Sequence, residues 1–330
     1  MFVDMTTVRI VKDWEYPDIL RQSPDGKGIW ENITISADES ELVDFVIVLN
    51  KPADRHKFLC PRERIWVIAQ EPPLAKYANH HRMCSDYGRV YTSAVSVPTG
   101  NAIPSQPALC WYVNKSYDEL TKCDIPEKTG KVSWVTSNKA FLPTHIKRLE
   151  FLHCVRKSID IELYGKGFNY IEDKWDALAP FKYSLAIENC ANDYYWSEKI
   201  ADCFLSWTMP IYFGCRRISS YFPEESYVQI DISDPNAVGK IQEVVSGDLW
   251  ERNIDAIAQA RRLVLEKYQL FPFLANQIKA YESQAGALQV KPDKPTHLAP
   301  IRLRKSLAYN ASILLPAFLA KLRKVSKINI

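Results

Sequence analysis

From residue 132 onward the chain alternates short β-rich runs with helical apolar patterns, and that alternation restricts the fold more than any other feature of the sequence. The runs lie at 132–137, 161–164, 184–187 and 210–213, with helical spacing at 146–155 and 197–207 between them. Strands separated by helices run parallel, because the crossover returns the chain to the same end of the sheet. A doubly wound α/β sheet is expected, with ligands bound beyond the carboxyl ends of its strands. The loops after Ser137, Tyr164 and Glu188 are then the places to look. Further strand-length runs occur at 7–11, 33–35, 43–49 and 65–69, and the Pro-, Gly- and charge-rich stretch CDIPEKTGK at 123–131 separates the two halves. We read residues 1–128 as one domain, 129–285 as a second closed by a long helical stretch from about Leu249 into Tyr281, and 286–330 as a basic tail.

Composition narrows the function. The 330 residues are 47% hydrophobic, enough to fill two ordinary cores. Residues 291–330 hold nine Lys or Arg against the single acid Asp293, a surplus of eight, so the net charge of +3 leaves the rest of the chain five negative. A mildly acidic body offers no broad footprint for nucleic acid. The eight cysteines include no CxxC pair, and no His stands at zinc-finger spacing, which argues against structural zinc. Cys154 and Cys203 fall in apolar stretches and read as small buried hydrophobes of a reducing compartment. The opening MFVDMTTVRIVKDWEY lacks a basic region followed by an apolar one, and no apolar run approaches the roughly 20 residues that span a bilayer. A cytoplasmic protein is expected.

The most informative segment is FKYSLAIENCANDYYWSEKIADCFLSWTMPIYFG at 181–214. An apolar strand ends in Glu188 and Asn189, a polar and aromatic loop follows, and a helix starts near Ser197 with apolar residues at 200, 203, 204 and 207 on one face. Ser197 reads as an N-cap, and on spacing alone Glu198 and Lys199 are solvated first-turn charges. A helix start favours acids and can receive an anion on its free N–H groups. Lys199 is on the wrong end for the dipole, a placement that makes sense if a phosphate arrives between them.

This segment resembles the donor-site motif of the family-10 glycosyltransferases, the alpha-1,3/4-fucosyltransferases: the family's FEN, six residues, a V-T-E-K-like helix opening and a PI or PV pair leading to G stand here as IEN, CANDYY, WSEK and PIYFG. It departs at Cys190, Trp196 and Ser197, none of which removes a charged or hydrogen-bonding group. The stretch WVTSNKAFLPTHIKRLEFLHCV looks like the family's first donor-domain strand, loop and helix, with Arg148 as the match for its nucleotide-facing arginine and Lys147 as a near alternative. IWVIAQEPP is similar to the strand end that carries the catalytic carboxylate, which implies Glu71 as base.

The resemblance implies a GT-B fold, two Rossmann-like domains facing each other across a cleft. The first would bind acceptor and the second GDP-fucose. It implies an inverting transfer of L-fucose to a glycan hydroxyl without an essential metal or other cofactor. Inversion needs a base opposite the leaving GDP and positive charge on the diphosphate. Glu71 is implied in the first role and Arg148 with Lys199 in the second, the arginine as a fork and the lysine as a point charge. Glu198 is implied on ribose or fucose hydroxyls, Asn189 and Tyr195 in the same pocket, and Ser137 and Asn138 in a loop meeting the nucleotide. Bacterial members end in basic amphipathic tails and act on lipid-linked or lipopolysaccharide glycans.

Other readings stand beside these. Glu71 before Pro72 and Pro73 is also a plain strand-end acid. His80 and His81 lack a third ligand at metal spacing, Tyr194 fits packing as well as a pocket, and Gly165 and Gly167 form an incomplete phosphate loop. The same fold with another GDP-sugar, a non-catalytic sugar-nucleotide or glycan-binding protein, and a glycosidase using Glu71 and Glu198 are the competing functions. In the tail, Leu307, Ala311, Leu314, Leu315, Phe318, Leu322 and Val325 fall opposite most of Arg302, Lys305, Arg323, Lys324 and Lys327, with Pro316 a kink. Residues 300–327 thus suit an anionic surface at the inner face of the cytoplasmic membrane, the alternative being packing on the body.

Overall fold

The computed structural model describes residues 5–36, 42–78, 87–94, 100–285 and 296–298. Two separate parallel sheets organise them. The first uses β1 (Thr6–Lys12), β2 (Ile29–Trp30), β3 (Ile33–Ser36) and β4 (Phe45–Leu49); after β5 (His56–Phe58), which stands outside it, come β6 (Ile65–Ile68), β7 (Arg89–Thr92) and β8 (Ala102–Pro104). Its order is β2-β3-β1-β4-β6-β7-β8, and every pairing except β2 with β3 is parallel. All five residues of β4 are buried, as a β-branched and aromatic run covered on both faces should be. Alternate residues feed opposite cores: Phe45, Ile47 and Leu49 join Trp66 and Tyr91, whereas Val46 and Val48 join Phe58, Val67 and Val90.

The chain then enters α1 (Tyr117–Lys122), whose start is fixed by a reciprocal capping box between Ser116 and Glu119. The second sheet alternates β9 (Gly130–Val135), α2 (Pro143–Ser158), β10 (Glu162–Tyr164), α3 (Lys174–Leu178), β11 (Phe181–Ile187), α4 (Glu198–Leu205), β12 (Met209–Phe213) and β13 (Val228–Gln229). The strand order is β10-β9-β11-β12-β13, parallel throughout. The order reverses between β9 and β11, and a crevice opens beyond the carboxyl ends of strands at such a switch point. The expected α/β class and the pair of Rossmann-like, GT-B-type sheets are what the topology contains.

The domain boundaries need correction. After α5 (Ala237–Ser246), the long stretch from Leu249 is broken into α6 (Leu249–Arg252), α7 (Ile254–Leu263), a π-turn at Val264–Tyr268 and α8 (Leu270–Ala285). α8 does not close the second domain. Its Leu270, Phe271, Phe273, Leu274 and Ile278 pack under the first sheet against Trp66 and Tyr91, and Tyr281 meets Trp66 edge to face at 5.4 Å. Burying Phe271 and Leu274 there stabilises the first domain by about 1.5–3 kcal/mol each. A final strand, β14 (Thr296–Leu298), pairs antiparallel with β5. Conversely Trp111, Val113 and Leu120, placed at first in the N-terminal domain, belong to the core formed by α4 and Trp196. An amphipathic pattern says that a helix has a buried face and not which sheet it covers.

Among the described residues no helix is long and apolar enough to cross a membrane. Cys203 is buried as expected, whereas Cys154 is exposed on the outer side of α2, whose inward side carries His145, Arg148, Phe151, Leu152 and Val155. The tail at 300–327, His80 and His81 lie outside the described residues.

Candidate active site

The loops after β9 and β11 converge at the switch point. Arg148, on the second turn of α2, donates from one guanidinium nitrogen to Asn189 Oδ1 at 2.7 Å and from the other to the Ser137 carbonyl at 3.2 Å. Its residue exposure is 6%, its Nε has no hydrogen-bond partner, and burial alone lowers its pKa. No carboxylate among the described residues forms an ion pair with it. A buried cation held only by neutral acceptors is costly, and an anion in the crevice would offset that cost. Neighbouring charges have the same sign: burial first, and then Arg148, Lys139, Lys76 and Lys199, hold His145 down at about 4, so its imidazole is neutral.

The other half is built on the strand end of β11 and the start of α4. Glu188 is fully buried; it accepts from the Ser197 backbone N–H at 2.7 Å, from the Ser197 hydroxyl at 2.7 and 2.8 Å, and from Lys199 Nζ at 3.1 Å. Ser197 Oγ also caps the Lys199 N–H at 3.3 Å. Burial pushes the Glu188 carboxyl up while Lys199 pulls it down. Burial disfavours the Lys199 ammonium, but Glu188 and Glu198 outweigh it and leave that pKa raised. Lys199 is therefore placed at a helix start by a carboxylate behind it, a physical reason that the sequence reading assigned entirely to a phosphate. Its side chain remains 24% exposed.

Glu198, 3.6 Å from Lys199 Nζ, also meets Lys174 Nζ at 3.4 Å. Burial alone would raise its pKa, but the two ammonium groups bring it down to about 2. Tyr195 is buried, and its backbone N–H donates to Asn192 Oδ1 at 2.6 Å. Its phenol is raised well above the usual value by burial and then by Glu188, Glu198 and Glu71. Asn192 Nδ2 in turn donates to the Ser93 carbonyl of the first domain at 2.8 Å, and Lys76 Nζ lies 5.0 Å from the Phe141 ring centroid. The two domains thus touch at the rim of the cleft.

Glu71 stands beyond the carboxyl end of β6. Asn50, in left-handed backbone with φ 65° after β4, accepts from the Gln70 and Glu71 N–H groups at 2.8 and 3.2 Å, which fixes the turn that presents the acid. Burial raises its pKa; the Tyr77 hydroxyl and Lys76 oppose the rise, and the Asp13 and Glu198 charges add to it. Of the charges that act on it, that of Glu198 comes from the start of α4 in the second domain.

Glu71, Arg148, Glu198, Lys199, Asn189, Tyr195 and Ser137 are accordingly gathered at facing sheet ends. Asn138 is at the same rim but exposed, and it packs on the turn at Gly167 (φ 88°), where a Cβ would lie 2.2 Å from its side chain. Gly165 lets that turn approach Thr136, whose carbonyl would sit 2.1 Å from a Cβ, so these glycines join two loops. Tyr194 pairs with Arg217. Trp196 packs on Tyr221, Phe222 and Tyr268. Sequence reasoning missed Glu188 as the hub, although an acid closing an apolar strand was the available signal. It also missed Lys174, Asp202 and Asn192. Among the described residues no group of three His, Cys, Asp or Glu could hold a metal ion. A hollow of about 560 Å³ lined by Gly130, Asp160, Glu162 and Phe181 lies at the amino ends of the second sheet, the wrong end for an α/β ligand site.

Comparison with known proteins falls on the same region. Residues 125–245 match the family model "Glycosyltransferase family 10 (fucosyltransferase) C-term". The mouse 4-galactosyl-N-acetylglucosaminide 3-alpha-L-fucosyltransferase 9 is 31% identical over 123 residues, 36% of this chain and 33% of that protein. The Helicobacter pylori alpha-(1,3)-fucosyltransferase FucT is 30% identical over 129 residues, 38% of this chain and 24% of that protein. The chain thus spans about a third or less of the length of these curated relatives. A crystal structure of an alpha1,3-fucosyltransferase superposes with a TM-score of 0.48 at 15% identity, covering 81% of this chain and 93% of that one. The segment that carries Arg148, Glu188 and the start of α4 is thus the one similar to glycosyltransferase family 10, the fucosyltransferases.

Proposed function

We propose that this protein transfers L-fucose from GDP-fucose to a hydroxyl of an oligosaccharide or glycolipid, with inversion at the anomeric carbon. One observation supports the reading above the others: a buried arginine with no carboxylate partner among the described residues stands at the switch point of the family-10 segment, held only by the neutral Asn189 and Ser137. In the step, the acceptor oxygen bonds to the fucose anomeric carbon as the bond from that carbon to the β-phosphate oxygen breaks. Glu71, kept from full hydration, takes the acceptor proton. The charge that appears on the departing GDP falls to Arg148 and Lys199, both already oriented before substrate arrives. Glu198, ionised throughout the neutral range, suits hydroxyl binding and stabilisation of positive charge at the sugar; it does not suit the protonated acid of a glycosidase. Because the cations are side chains, binding and transfer are expected to persist in EDTA.

Calorimetric titration with GDP, GDP-fucose, GDP-mannose and UDP in EDTA is the direct test. Selective binding of guanine nucleotides supports the reading; equal affinity for UDP, or a strict need for Mg²⁺, refutes it. We further propose that the tail at 300–327 brings the enzyme to lipid-linked or lipopolysaccharide glycans at the inner membrane face. Sedimentation with phosphatidylglycerol vesicles and not with phosphatidylcholine vesicles is the expected result.

A further inference from the structure

We infer that Lys174 is a positioning residue for Glu198, holding the same carboxylate oxygen, Oε1, that Lys199 approaches and tying it to the segment that joins the two domains. The inference rests on the function proposed above. Glu198 and Asp202 are four residues apart on α4 and present two like charges on one face, an arrangement that repels unless a cation intervenes. Lys174 is that cation, 2.9 Å from Asp202 Oδ2 and 3.4 Å from Glu198 Oε1. Asp202 is 1% exposed and its other oxygen accepts the Tyr112 N–H at 2.9 Å, while the Tyr112 ring lies 4.9 Å from the ammonium. One residue before Lys174, Asp173 caps α3 at Trp175 and also accepts the Asn114 N–H at 2.8 Å. Residues 112 and 114 of the joining segment therefore grip the start of α3 and the face of α4 together.

The result is a series of alternating charges, Glu188, Lys199, Glu198, Lys174 and Asp202, which runs from the strand end to the domain junction. Asp202 alone would satisfy a purely structural lysine, so the reach to Glu198 is the informative contact. The groups facing Glu198 are Lys199 and Asp202 on its own helix, Lys174 on α3, Glu188 at the end of β11, Tyr195 in the loop, Tyr112 in the joining segment and Glu71 across the cleft. Of these, Lys199 and Lys174 are the cations that keep it charged. Without Lys174 the carboxyl titrates at higher pH and loses one of two anchors.

The test measures kcat and KM for GDP-fucose across pH, and GDP affinity by calorimetry, in the full chain. K174M is expected to leave the GDP Kd within about threefold, to lower kcat by about 10–100-fold through misplacement of Glu198, and to steepen the acid limb of kcat set by Glu71, as Glu198 comes to titrate within it. K174R, whose fork reaches both carboxylates, restores rate and limb together. Since K174M leaves Asp202 buried and unpaired, K174M/D202N removes that charge, and it should melt near wild type yet keep the kcat loss and the steepened limb. A double variant with wild-type kcat and a limb of wild-type steepness overturns the inference, as does K174R no better than K174M. A wild-type chain that fails to bind GDP overturns the proposed function, and this inference with it.

Discussion

The two sheets present their carboxyl ends to one cleft but furnish them in opposite ways. The second supplies a saturated charge network in which Glu188, Ser197, Lys199, Glu198 and Lys174 each have partners at 2.7–3.6 Å before any ligand arrives. The first supplies one carboxylate, Glu71, positioned by a backbone turn on Asn50 and left with a raised pKa. A leaving group that gains charge needs donors fixed in advance, because reorganising them during the reaction costs free energy. A base needs only reach and a pKa near the working pH. The asymmetry therefore matches a division in which one rim binds and the other takes a proton.

The widest separation between the rims is expected from Glu71→Gln. Transfer should fall by about 10²–10⁴-fold while GDP affinity, measured by calorimetry, stays at the wild-type value. The wild-type rate should carry an acid limb displaced above the ordinary carboxylate range. Burial raises the Glu71 pKa, the base works only when deprotonated, and activity is lost as pH falls through that raised value. The same shift has a sign for stability. The folded state holds the proton more tightly than the unfolded chain, so this group destabilises the fold as pH rises between the two pKa values, and the glutamine variant should melt no lower than wild type at neutral pH. Loss of GDP binding in Glu71→Gln would remove the division of labour.

Arg148→Met comes next. Removing two charge-assisted donors from the diphosphate should cost about 1.5–3 kcal/mol of affinity, or about 10–100-fold in the GDP Kd. The apo protein is a more searching readout. An arginine that is 6% exposed and has no carboxylate partner among the described residues is a net burden without a bound anion, so the melting temperature of Arg148→Met should equal or exceed that of wild type. A marked fall in stability would make Arg148 a structural residue and leave the second rim without its anion site.

Much of this was legible before the fold was known. The β-branched run at 45–49 and the alternation after residue 132 define both sheets, because a strand buried on both faces has few other ways to be written. The charged positions at 198 and 199 were found through the motif that surrounds them. Glu188 was passed over because a buried carboxylate has no periodic signature; its meaning lies in Ser197 and Lys199, nine and eleven residues on, which fold back onto it. Lys174 and Asp202 are 28 residues apart and reveal themselves only as a contact. The return of α8 to the first sheet was likewise invisible, since Leu270, Phe271 and Leu274 would suit either core.

The smallest effect on transfer is expected at the opposite end of the second sheet, and it tests whether charge at the carboxyl end is special. Lys128 is a half-buried amine just before β9 that donates to the Ala179 carbonyl at 2.8 Å, the Ser206 carbonyl at 3.0 Å and the Thr208 hydroxyl at 3.3 Å. It closes the carboxyl ends of α3 and α4 and faces no cleft. Lys128→Met should leave kcat and GDP affinity unchanged, yet cost about 1–3 kcal/mol through two carbonyls left without their donor. At about 2–4 °C per kcal/mol for a domain of this size, the loss is readable by calorimetry. Burial lowers the Lys128 pKa to about 7, below its ordinary value near 10.5. Between those two values the unfolded chain binds the proton and the folded chain does not, so the contribution of Lys128 to stability grows as pH rises through that window. The gap in melting temperature between wild type and Lys128→Met should therefore widen from pH 6 to pH 9. A constant gap would mean that the amine stays charged against its three acceptors, and a fall in transfer would mean that the two ends of the sheet are coupled through α4.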